Sequence, residues 1–281
     1  MAERRDDRQG RGPRKPDRDR GPGREAAPRP EWQTRVAPKV RVDKPKSPPV
    51  PEEITPNDLP MPIRVQLKTL SAENAELTAR HLAMVDLTIG QDPDLALAHA
   101  KAAAARAGRI PVVRETLGIV AYRNGDFALA LRELLTHRRM TASNDQVALI
   151  VDSERGLGRP ERALEFSRSI DKSKLNAETR VNLAIATSGA RLDLGQNDLA
   201  LAELEIKELD PTRVFDFTPP LFWAYADTLE VLGREADSKK WAELATRAER
   251  AVSPEATGED EQFEILEEIE IPVMKDWKKR D

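Results

Sequence analysis

The chain has 281 residues, a mass of 31.4 kDa and a formal charge of −4 at pH 7. It contains no cysteine, which excludes disulfides, thiolate metal ligands and cysteine nucleophiles. No apolar run reaches the roughly 18–20 residues that span a bilayer, and the charged start from Glu3 lacks the apolar stretch of a secretory signal. A cytoplasmic protein without membrane contact is expected.

The near-neutral total conceals an uneven distribution: a basic head, a balanced body and an acidic tail. Residues 1–50 carry a net charge of +7, residues 51–63 of −3, residues 64–250 of −2 and the last 31 residues of −6. Of the 21 prolines, 13 fall within residues 1–63, and before Val36 the chain offers little apolar surface beyond Trp32. Such a segment cannot offset the backbone entropy of folding, about 1–2 kcal/mol per residue, so residues 1–63 are expected to be a disordered arm. Extended polyproline character is expected around Pro45–Pro51. Its arginines suit electrostatic contact with RNA or a ribosome. Asp6, Asp7, Asp17, Asp19 and Glu25 dilute that field, and the competing reading is a solvated, mixed-charge linker.

From Pro62 onward the apolar spacing is helical, and one pattern recurs. Leu117-Gly118 opens a packed helix face, Gly125-Asp126 makes a turn, and Ala130 sits where the next helix crosses. The turn returns at Leu157-Gly158, Leu194-Gly195 and Leu232-Gly233, with an earlier copy at Gly90-Gln91. Turn positions 91, 125, 158, 195 and 233 are separated by 34, 33, 37 and 38 residues. Each is followed by a small residue: Ala96, Ala130, Ala163, Ala200 or Ser238. This stretch resembles the tetratricopeptide-repeat family, whose unit is a helix–turn–helix of about 34 residues. Arg114 and Phe222 stand where that family prefers tryptophan, and four extra residues lengthen the fourth unit before Gly195. One extra helical turn absorbs them without changing the packed face.

Ten helices are predicted in chain order, over 73–89, 93–107, 111–123, 127–139, 144–156, 160–170, 177–193, 197–209, 219–231 and 235–251. Asp92-Pro93, Asp126, Arg159-Pro160, Asn176 and Thr218-Pro219 supply their start signals. Val65, Leu67 and Leu70 predict a short helix that covers the N-terminal edge. The fold class expected is all-α: a right-handed α-solenoid of about five helix pairs over 64–252, then an acidic tail over 253–281. In that tail Ile269–Met274 is apolar and Trp277 lies in a basic end, which suggests a cap, a groove occupant or a docking motif.

Catalytic chemistry has little to stand on. His81, His99 and His137 fall in three helices with no partner at metal-site spacing, and no phosphate-cradling or nucleophile-elbow motif occurs. Acidic pairs such as Glu203/Glu205 read as solvated faces. No enzyme, cofactor or metal site is expected.

The resemblance implies a concave groove, lined by the first helix of each pair, that captures a protein segment. Counted from Leu117-Gly118, its candidate residues are Glu115, Ile119, Tyr122 and Arg123 in the second unit and Asp152 and Arg155 in the third. The fourth contributes Asn182 and Arg191, and the fifth Trp223 and Asp227. Tyr122 and Trp223 have the alternative of packing between repeats. The Lys/Asn/Arg set that captures C-terminal carboxylates in this family is missing: Glu115, Ile119 and Asp152 stand there instead. The function expected is that of a protein-binding adaptor or scaffold, with RNA or ribosome association through the arm as the alternative. Self-association is a third outcome. The excess of Arg over Lys, 31 to 14, suggests a bacterial source.

Overall fold

The structure, a computed structural model, describes residues 47–253. The larger part of the predicted arm, residues 1–46 with Trp32, and the tail 254–281 with Ile269–Met274 and Trp277 lie outside the described residues. Within them the chain is all-α. Eleven α-helices form in this order: α1 Met61–Leu67, α2 Ala72–Thr88, α3 Pro93–Ala107, α4 Pro111–Arg123, α5 Phe127–Thr141, α6 Val147–Gly156, α7 Pro160–Arg168, α8 Ala177–Asp193, α9 Asn197–Leu204, α10 Thr218–Val231 and α11 Glu235–Val252. Short 3₁₀ turns occupy Pro56–Asp58 and Lys172–Lys174.

After α1 the helices pack as consecutive pairs, α2 on α3 through α10 on α11. Each even-numbered helix from α2 to α8 also packs on the next even one, so α2, α4, α6, α8 and α10 form one row. The cause is a turn used four times. Gly125, Gly158, Gly195 and Gly233 all have left-handed backbone, with φ between 67° and 75°. At each, the glycine N–H bonds three residues back and the next N–H bonds five residues back: Gly125 to Tyr122 and Asp126 to Ala121, and likewise at 158, 195 and 233. This is the Schellman closure, which satisfies the last carbonyls of one helix, and the residue after the glycine is already the N-cap of the next. A side chain with a Cβ resists that φ, which is why glycine recurs. The first turn differs: Gln91 and Asp92 both bond Thr88, and Asp92 caps α3 through Leu95 N–H at 3.0 Å.

The five small residues that follow the turns are all buried, Ala96, Ala130, Ala163 and Ala200 completely. On α3, Ala100, Ala103 and Ala107 extend this stripe, so the backbones of α2 and α4 approach α3 closely. The four extra residues of the fourth unit appear as one more turn: α8 has 17 residues against 13 in α4. Asp126 and Asn176 cap α5 and α8 through the N–H groups of Leu129 and Thr179.

The helix predicted from 144 begins at Val147 and the one predicted to 170 ends at Arg168, and two larger differences have a physical cause. The helix predicted to reach 209 stops at Leu204. Glu208 turns back to form a buried ion pair with Arg180 at 2.5 Å, and Arg180 also donates to the Leu175 carbonyl. Residues 47–63, counted with the arm on their proline content, lie packed on α2. Arg80 donates to the carbonyls of Val50, Pro51 and Ile54, Ser47 bonds His81, and Leu59 is buried beside Leu82. One arginine thus supplies donors to a strap whose prolines have none. No helix of the described residues is long and apolar enough to cross a membrane.

Candidate functional site

Because the four turns share one geometry, residues at the same distance before each turn glycine occupy equivalent places on the even helices. Six residues before stand Ile119, Asp152, Gly189 and Asp227; three before stand Tyr122, Arg155, Leu192 and Glu230. Neighbouring members of these two rows touch. The Tyr122 hydroxyl on α4 donates to Asp152 on α6. Arg155 donates to Asp152 at 2.6 Å within α6 and to Asp193 of α8 at 2.6 Å. The Arg155 guanidinium lies on Gly189, where a Cβ would come within 2.7 Å of Nη1 and oblige the guanidinium to shift. A hydrogen-bonded ladder, Tyr122–Asp152–Arg155–Asp193, therefore runs across three repeats.

Its electrostatics follow from partial burial. Burial pushes the Tyr122 hydroxyl well above the usual phenol range, and the bond to Asp152 adds to this, so Tyr122 is a fixed donor. Burial disfavours the Arg155 charge, but the bond to Asp193 and the Asp152 carboxylate outweigh it and raise its pKa. Arg155 is a permanent cation with two carboxylates already on it, so its charge is spent inside the ladder.

Next to Tyr122 the row becomes apolar. A cleft of about 210 Å³ opens between α2, α4 and the strap, lined by Leu59, Ile63, Leu82, Val85, Ile119 and Val120, with Asp86 and Thr116 as its polar members. Val85 and Ile119 hold the same position in successive repeats, so cleft and ladder lie on one continuous ribbon. Met61 and Val65 on α1 and Leu87 on α2 leave further apolar surface exposed.

The sequence-derived residues divide on this map. Ile119, Tyr122, Asp152 and Arg155 come together on the ribbon. Arg123 is exposed beside it, and Asn182 and Asp227 are exposed on α8 and α10. Glu115 turns to the α5–α6 side, where it accepts from Gln146 at 3.0 Å, with His137 at 3.9 Å. Arg191 donates to Gln196 and Glu203 of the following turn and helix and leaves the row. Trp223 packs toward α11, its indole N–H donating to Glu249 at 2.8 Å. Sequence reasoning missed Asp193, Gly189, Asp86 and the strap wall Leu59. Gly189 was within reach, since counting six residues back from Gly195 places it on the ribbon; Asp193, two residues before that glycine, falls on neither row and joins the ladder only through Arg155.

A second polar cluster lies outside the ribbon. His81 and His99, both buried, share an Nδ1···Nδ1 hydrogen bond of 2.9 Å, and His81 Nε2 meets Ser47 at 2.9 Å. Burial, then the neighbouring His99, Arg106 and Arg80, lower the His81 pKa to about 4. The pair is neutral and structural. No group of three or more His, Asp or Glu side chains able to hold a metal ion occurs among the described residues. No family model matches the chain, and no curated protein is similar to it.

Proposed function

We propose that this chain is a protein-binding adaptor built as a tetratricopeptide-like α-solenoid, with the even helices lining the surface that captures an extended segment of a partner. The observation that carries the reading is the ribbon itself: an apolar cleft continuous with a preorganised row of polar groups. Apolar anchor pockets next to a few oriented polar groups are what segment recognition requires. The four turns of one geometry support the repeat, because stacked identical units generate an extended surface of this kind. The basic arm adds electrostatic reach, and linked weak sites gain avidity when both engage one assembly. In this reading the protein is no enzyme and works in the cytoplasm.

Panning a displayed peptide library against the full chain tests the proposal. Enriched peptides should share apolar anchors and lose binding to Ile119→Asp and to Tyr122→Phe/Asp152→Asn. Enrichment that is indifferent to both variants contradicts it. The reading in which the arm alone binds RNA predicts no enrichment, and binding to RNA that falls steeply with salt.

A further inference from the structure

The ribbon carries an uneven charge. Its carboxylates include Asp86 in the cleft, Asp152 and Asp193 in the ladder, and Asp227 and Glu230 at the equivalent positions of α10. Its cations are Arg155, already shared between Asp152 and Asp193, and the exposed Arg123. Asp86, Asp227 and Glu230 are exposed and form no ion pair among the described residues. The negative charge stands at both ends of the ladder, one end being the apolar cleft. Given these facts we infer that the ribbon selects an extended peptide segment with apolar anchor residues flanked by lysine or arginine. The inference rests on the adaptor reading and names its class of ligand.

The physical reasons are size, shape and field. A cleft of about 210 Å³ takes one or two aliphatic side chains, not a folded surface. Burying them supplies affinity, while surface charge sets which partners approach and which are repelled. A segment with acidic flanks meets like charge at Asp86 on one side and at Asp227 and Glu230 on the other. An RNA backbone meets the same repulsion, so the ribbon does not serve nucleic acid.

Fluorescence anisotropy with three short labelled peptides tests this on the full chain. One carries two leucines flanked by lysines, the second the same leucines flanked by glutamates, and the third the lysines with serines in place of leucines. The lysine-leucine peptide should bind about tenfold or more tightly than either of the others, a difference of about 1.4 kcal/mol. Asp86→Lys, an exposed position that leaves the core untouched, should erase much of that preference and weaken the dependence on salt. Equal binding of the lysine and glutamate peptides, both abolished by Ile119→Asp, overturns the charge inference and leaves the groove intact. Binding of the serine peptide as tight as the leucine peptide also overturns it. Binding of all three that ignores Ile119→Asp overturns the adaptor reading beneath it.

Discussion

Acid should loosen this fold through the buried histidine pair. His81 and His99 are 2% and 0% exposed, and a single proton shared across their Nδ1 atoms joins α2 to α3. His81 is held at about 4 in the fold, against 6.5 in an unfolded chain. Between those values the unfolded chain binds more protons than the folded one, so stability falls as pH falls. The contribution is fully present above about pH 6.5 and is lost progressively toward about pH 4. Linkage with these two values gives a loss of about 2 kcal/mol between about pH 7 and about pH 5. His99 is lowered too, by burial, and acts in the same direction. The aspartates with shifted values, Asp171, Asp210 and Asp237, are held below the usual carboxylate range and contribute only beneath this window. The assay is urea unfolding at the two pH values for the native chain and for His81→Gln. The native chain should lose about 2 kcal/mol and the variant distinctly less. Equal losses in both would refute the assignment of the acid sensitivity to this pair.

Three further outcomes follow from local packing. A Cβ at Gly118 would sit 2.6 Å from Leu134 Cδ2, so Gly118→Ala should cost about 1–3 kcal/mol, partly relieved in the double variant with Leu134→Ala, as a double-mutant cycle in denaturant would show. Ala142 ends α5 with φ 56°, so Ala142→Gly should stabilise by about 0.5–1 kcal/mol in the same melts, and a loss would contradict the strain. Arg180→Met removes the partner of Glu208, whose side chain is only 7% exposed, and should cost about 3–5 kcal/mol, with Glu208→Gln in the same chain recovering much of it.

The helical pairs were legible because their punctuation is local. A left-handed glycine and a small residue at fixed spacing mark each of the four turns, and Gly125-Asp126 with Ala130 adds a side-chain cap. The end of α9 was not legible, because it depends on Glu208 finding Arg180, 28 residues earlier. The strap fails for the same reason: prolines announce an unfolded segment unless a distant donor holds it, and Arg80 is that donor. In the site, residues read from the turn register, such as Tyr122, Asp152 and Arg155, converge. Arg191 stands four residues before its turn glycine, on neither row, and turns to Gln196 and Glu203 instead. His81 and His99 lie nine residues either side of Gly90, and residues equidistant from a hairpin turn meet, so this contact was open to the same arithmetic.

The claim that the ribbon receives a protein segment is tested most directly by placing a photo-crosslinking side chain at position 119 on α4, with a control at Arg139 on the exposed side of α5. After illumination in lysate of the source cell, mass spectrometry identifies what has been joined to each position. The account predicts peptide adducts at position 119, from segments with apolar anchors and basic flanks, and none of these at 139. Adducts of nucleic acid at 119, or the same adducts at both positions, would contradict it.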